Sequence, residues 1–151
     1  MGLFLHMGTK EKIAIIGLGY VGLPLAKGFC KYFETFGFDI NKDLINKLKK
    51  ENTNNILFSF NYNEIKDANV FIITVPTPVT SDNKPDLSCL KSASEIVGKI
   101  LKKNDTVIYE STVYPGVTEE FCVPILEKNS KLTYNKDFYC GYSPERINPG
   151  D

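Results

Sequence analysis

The run Lys12-Ile13-Ala14-Ile15-Ile16 is apolar after its first residue and passes straight into Gly17-Leu18-Gly19-Tyr20-Val21-Gly22. An unbroken apolar stretch that stops at a glycine is the pattern of a parallel strand covered on both faces. Beyond the glycines, Val21, Leu25, Ala26, Phe29 and Cys30 recur at helical spacing, which predicts a helix to about Tyr32. Strand, glycine turn and helix in that order open a βαβ unit, and they turn GxGxxG from a loose pattern into a structural one. Gly17 permits the tight turn, Gly19 lets a ligand approach the backbone, and Gly22 brings helix and strand together. The helix N-terminus then offers unpaired N–H groups to an anion such as a pyrophosphate.

The rest of the chain repeats this alternation. Thr35-Phe36-Gly37-Phe38 reads as a second strand closing on Asp39, and Asn41 can cap a helix over 42–50. Residues 69–75 form another apolar strand, stopped by Pro76 and Pro78, which cannot donate to a ladder. Leu87, Leu90, Ala93, Ile96, Val97, Ile100 and Leu101 place a helix within 86–103, and 105–109 is the next strand. A helix over 118–127, interrupted or bent at Pro124, and a last strand over 138–142 complete the reading. The fold class predicted is α/β: a Rossmann-like doubly wound parallel sheet with helices on both faces, whose ligands gather at the carboxyl ends of its strands.

A chain of 151 residues has room for about one domain, and 42% hydrophobic residues are enough for a core. Lys plus Arg and Asp plus Glu number 18 each, so no basic field points to nucleic acid or to a membrane surface. Cys30, Cys89, Cys122 and Cys140 contain no CxxC pair, and His6 alone accompanies them, which argues against a metal site. Leu3-Phe4-Leu5 is too short for a secretory signal, and His6 stands where a myristoylation motif wants Ser or Thr. These features predict a reduced, cytoplasmic protein. Residues 1–11 read as a loose arm ahead of the domain, with Met7 a conceivable alternative start.

Three sets of residues carry chemistry. Asp39 follows Gly19 by about 20 residues, where a strand-end carboxylate can bind an adenosine ribose and repel the 2′-phosphate that marks NADP. The same aspartate taken alone could be a turn or cap residue. Val75-Pro76-Thr77-Pro78 and Glu110-Ser111-Thr112-Val113-Tyr114-Pro115-Gly116 hold Thr77 and Thr112 on proline-stiffened loops, as ligand donors or as helix caps. Ser143-Pro144-Glu145-Arg146-Ile147-Asn148-Pro149-Gly150-Asp151 sets a carboxylate beside a guanidinium, suited to proton handling and anion recognition, or to a surface ion-pair turn.

Taken in order, these signatures resemble the amino-terminal part of the UDP-glucose/GDP-mannose dehydrogenase family, over about Lys12 to Asp151. They are Ile16 to Pro24, Gly37-Phe38-Asp39-Ile40-Asn41, Val75 to Pro78, Glu110 to Gly116, and Ser143 to Gly150, the last similar to the branch that makes uronic acids from N-acetylhexosamine nucleotides for surface polysaccharide. The resemblance implies NAD as cofactor, with Gly17, Gly19, Tyr20, Val21 and Gly22 at its backbone-binding turn, Asp39 at the adenosine ribose, and Thr77 and Thr112 toward its middle and nicotinamide end. It implies Glu145 as the catalytic acid/base and Arg146, Ile147 and Asn148 at a UDP-sugar site. In the glucose-specific branch a second glutamate stands four residues after the first; here that position is Pro149, which disfavours UDP-glucose.

In that family a primary alcohol is oxidised to an aldehyde, trapped by a cysteine as a thiohemiacetal, oxidised again to a thioester and hydrolysed to a uronate. The cysteine belongs to a later domain, and none of the four cysteines here stands in its motif; Cys140, close to the last signature, reads as a packing residue. The resemblance thus implies residues 12–151 as an NAD-binding domain, cut before the central helix and the cysteine-bearing domain, inactive alone and homodimeric when full length. A non-catalytic NAD-binding or partner-binding module is the alternative from a different class. A 3-hydroxyacid dehydrogenase would share the glycine motif, but not Pro76-Thr77-Pro78 or Pro144-Glu145-Arg146.

Overall fold

A computed structural model of the chain describes residues 11–52, 54–111 and 116–144. In chain order the elements are β1 (Lys12–Ile16), α1 (Gly22–Phe29), β2 (Glu34–Phe38), α2 (Lys42–Glu51), β3 (Ile56–Ser59), a 3-10 turn (Tyr62–Ile65), β4 (Val70–Ile73), α3 (Ser88–Ile100), β5 (Thr106–Ser111), a π-helical turn (Thr118–Cys122), α4 (Val123–Ser130) and β6 (Tyr139–Pro144). The six strands form one sheet in the order β3-β2-β1-β4-β5-β6, and every pairing is parallel. This is the doubly wound sheet that the alternating pattern predicts. Its order reverses between β1 and β4, so the chain leaves these two neighbours toward opposite faces and a crevice opens at their carboxyl ends.

The alternation of side chains along the strands divides the core into two layers. Ile13, Ile15, Ile72 and Ile108 face α1 and α2, where Ala26, Phe29, Ile45 and Leu48 are buried. Ala14, Ile16, Phe71, Ile73, Val107 and Tyr109 face α3 and α4, packing with Leu90, Val97 and Leu126. The Asn41 cap forms as the sequence suggests: its side chain accepts from the Leu44 amide at 3.1 Å.

β4, α3 and β5 end within three residues of the expected bounds, and four larger differences separate the structure from the sequence reading. β3 and the turn after it are not evident from periodicity, because Ile56-Leu57-Phe58-Ser59 is a four-residue edge strand with Leu57 exposed. α1 ends at Phe29, short of Tyr32. The helix expected over 118–127 is a π turn followed directly by α4, which runs on to Ser130; Pro124 is the second residue of α4, immediately after the π turn. β6 is shifted toward Pro144 because it pairs along β5 as far as Ser111.

Candidate functional site

The crevice is a cleft of about 780 Å³, within the usual range for small-molecule sites. The glycine turn after β1, the end of β2, the loop after β4 and the outer turns of α3 converge on it. Among the described residues its lining contains no Lys or Arg; its charged residues are Asp39 and Glu110. An anion entering here is met by backbone dipoles rather than by cationic side chains.

The three glycines do three different things. Gly17 has φ +100°, a conformation that side chains rarely adopt, and its amide donates to the Phe38 carbonyl at 2.8 Å. A Cβ on Gly22 would lie 1.8 Å from the Gly17 carbonyl oxygen, so this position sets how closely α1 approaches the turn. A Cβ on Gly19 would meet nothing within 4 Å, because the space beside it belongs to the open cleft. Among the described residues, no group accepts from the amides of Gly19, Tyr20, Val21 or Gly22. The turn therefore presents free donors next to open space, which suits a pyrophosphate.

Asp39 is half-buried at the end of β2. Its Oδ2 accepts from the Leu18 amide and its Oδ1 from the Asn41 amide, each at 2.9 Å. One carboxylate thereby ties the glycine turn to the start of α2. Each oxygen keeps a second lone pair for a hydroxyl in the cleft. Val75, Pro76, Thr77 and Pro78 form the facing wall, so the structure brings together the glycine turn, Asp39 and Thr77 of the predicted site. Thr112, Glu145, Arg146, Ile147 and Asn148 lie outside the described residues, as does His6.

Sequence reasoning missed Leu18, Leu44, Ser88, Ser92 and Ile96, all in the cleft lining. Ser88, Ser92 and Ile96 are spaced four apart on α3, a repeat that marks one helix face and could have been read from the sequence. It also missed Thr74, a buried hydroxyl at the base of the turn.

Two of the four cysteines are held as thiols by burial. Burial pushes the Cys140 thiol up to about 12, and burial likewise raises Cys122, so both are protonated near neutrality. Cys89 lines the cleft with no histidine beside it in that lining. Among the described residues no cluster of His, Cys, Asp or Glu could hold a metal ion, and no helix is long and apolar enough to cross a membrane.

A parallel sheet reversing at β1 and β4, with an open glycine turn and a strand-end aspartate at the reversal, defines a Rossmann-type dinucleotide-binding domain. Comparison with known proteins narrows the class. The model of the UDP-glucose/GDP-mannose dehydrogenase family, NAD binding domain, matches residues 49–151. The UDP-N-acetyl-D-glucosamine 6-dehydrogenase of Pseudomonas aeruginosa is 53% identical over 93% of this chain and 36% of its own length. Protein CapL of Staphylococcus aureus is 52% identical over 94% of this chain, again 36% of its own length. A solved UDP-D-ManNAc dehydrogenase from Pyrococcus horikoshii superimposes with a TM-score of 0.84 at 34% identity, covering 93% of this chain and 37% of that one. The chain belongs to the UDP-glucose/GDP-mannose dehydrogenase family and carries its NAD binding domain. It spans about 36% of the length of these curated relatives.

Proposed function

We propose that this chain is the NAD-binding portion of a nucleotide-sugar 6-dehydrogenase that oxidises a UDP-N-acetylhexosamine to its uronic acid for surface polysaccharide, in the cytoplasm and as a homodimer when full length. The observation that carries the cofactor half of this reading is the pairing of unbonded amides at Gly19 to Gly22 with open space beside Gly19. The substrate half is supported by relatives such as the Pseudomonas aeruginosa UDP-N-acetyl-D-glucosamine 6-dehydrogenase and by Pro149.

In this reading the amides of the glycine turn hold the pyrophosphate, Asp39 accepts the adenosine ribose hydroxyls, and Thr77 and Thr112 orient the cofactor's middle and nicotinamide side. NAD, when bound, supplies the hydride acceptor. Glu145 is the acid/base at the sugar carbon, and Arg146, Ile147 and Asn148 shape the nucleotide-sugar site. The cysteine nucleophile of the second oxidation comes from outside these residues, which fits the protonated state of Cys122 and Cys140.

The test is calorimetric titration of the 151-residue chain with NAD and NADP, alongside Asp39→Ala. Saturable NAD binding is expected, with NADP and the variant each weaker by about tenfold or more. Equal affinity for NAD and NADP would remove Asp39 from the ribose site. NADH formation from a UDP-sugar by this chain alone would overturn the assignment of the nucleophile to another segment.

A further inference from the structure

The glycine turn works only if its own carbonyls stay out of the space that an anion is to occupy. The Gly17 carbonyl oxygen lies against the start of α1, 1.8 Å from where a Cβ on Gly22 would sit. An inward carbonyl in a helix–strand junction needs a donor, since an unpaired buried acceptor is costly. The donor that reaches it is the hydroxyl of Thr74, one residue beyond β4, at 2.7 Å. The same hydroxyl lies 3.1 Å from the Ile16 carbonyl, but that oxygen already accepts from the Thr74 amide at 2.9 Å. One proton thus goes mainly to Gly17.

Three hydrogen bonds from the ends of two strands, β2 and β4, consequently pin one turn. Phe38 at the end of β2 accepts from the Gly17 amide, Asp39 accepts from the Leu18 amide, and Thr74 donates to the Gly17 carbonyl. A Cβ on Gly22 would lie 2.5 Å from the Thr74 hydroxyl oxygen as well as 1.8 Å from the Gly17 oxygen, so hydroxyl, carbonyl and helix start are in mutual contact. Among the described residues, nothing accepts from the amides that follow at Gly19 to Gly22.

Resting on the reading of this cleft as the NAD site, we infer that Thr74 is a positioning residue for the pyrophosphate: it holds the Gly17 carbonyl inward so that the amides after it face the cleft. Thr74 is buried, and its one hydroxyl proton is committed to the backbone, so it is no direct ligand of the anion. Its effect passes through the turn. Loss of the hydroxyl leaves the Gly17–Leu18 peptide held by the Asp39 bond to the Leu18 amide alone, so its carbonyl dipole can tilt toward the anion, which weakens pyrophosphate ligands while Asp39 keeps its place at the ribose side of the cleft.

The experiment compares the unsubstituted chain with Thr74→Val, Thr74→Ala and Thr74→Ser, titrated with NAD, ADP and adenosine below the unfolding midpoint of each. Valine and alanine are expected to weaken NAD and ADP by about tenfold, to change adenosine by less than about twofold, and to be rescued by serine. Alanine serves as the second hydroxyl-free variant where valine, with its extra methyl, disturbs folding. If the unsubstituted chain binds NAD and a folded hydroxyl-free variant binds it within about twofold of that, the role of Thr74 is overturned while the cofactor reading stands. Equal weakening of ADP and adenosine also overturns it, because that marks general loosening of the core. No NAD binding by the unsubstituted chain overturns the cofactor reading and this inference together.

Discussion

The two ends of the sheet use polar groups in opposite ways. At the β1, β2 and β4 end, Asp39 and Thr74 bond backbone groups of the glycine turn, Asp39 also holding the Asn41 amide, and among the described residues nothing accepts from the amides of Gly19 to Gly22 beside the cleft. On the β5 and β6 side, Glu110 lines the cleft but Tyr109 and Ser94 are buried in the core. The Tyr109 hydroxyl and Ser94 Oγ lie 2.7 Å apart in the core, and burial drives Tyr109 well above the usual phenol range. Cys122 and Cys140 sit beside them as neutral thiols. One end therefore leaves backbone donors beside the cleft, whereas the other uses a buried hydroxyl pair to join α3 to β5. The lesson is that a polar residue near a cleft signals function only once its partner is known.

The contrast is sharpest within the turn itself. Gly22→Ala places a carbon against the Gly17 oxygen and is expected to cost about 3 kcal/mol or more, or to prevent folding, as thermal unfolding would register. Gly19→Ala, three residues earlier, is expected to leave stability unchanged or raised by up to about 1 kcal/mol while weakening NAD by about tenfold. If both substitutions acted on stability alike, the division between a packing glycine and a ligand glycine would be lost.

At the other end, Tyr109→Phe leaves Ser94 without its partner. A loss of about 1 to 2 kcal/mol is expected in urea unfolding, with NAD affinity within about twofold of the unsubstituted chain. A large loss of affinity would show that the two ends are coupled.

Alkali probes the same region. The folded-state pKa of Cys140 is raised from 9.0 to about 12, so the folded chain favours the protonated thiol more than the unfolded chain does. That contribution is fully present below pH 9 and is lost as pH rises through about 12, with Tyr109 and Cys122 shifted in the same direction. Stability measured from about pH 8 to about pH 11 is expected to fall above about pH 9, and to fall less steeply in Cys140→Ala. The smallest effect belongs to the exposed pair Lys12 and Glu34, 3.4 Å apart across β1 and β2. Its removal is expected to change stability by no more than about 0.5 kcal/mol, diminishing further in salt.

Much of the fold was legible because its elements carry strong local signals. The apolar run before Gly17, the helical repeat after it and the Asn41 cap are all decided within a few residues. β3 was not legible, since an edge strand of four residues with one face to solvent has no periodicity to distinguish it from a loop. The π turn was equally hidden, since the residues before Pro124 repeat at ordinary helical spacing and carry no separate mark of a π turn.

Asp39 could be singled out as a ribose-binding candidate from its distance to Gly19 alone. That its carboxylate also holds the Leu18 amide emerged only when β2 was laid beside β1 in register. Thr74 carried no local mark at all, for a threonine at a strand end is ordinary and its importance lies in the carbonyl it meets 57 residues away in the chain. Local sequence thus settled strand, turn, helix and the identity of the glycines, because backbone conformation and short-range periodicity are properties of neighbouring residues. Which amides stay free, which carbonyl is turned inward and which hydroxyl holds it there were decided by tertiary structure, because hydrogen-bond partners between parallel strands are set by the packing of segments distant in sequence.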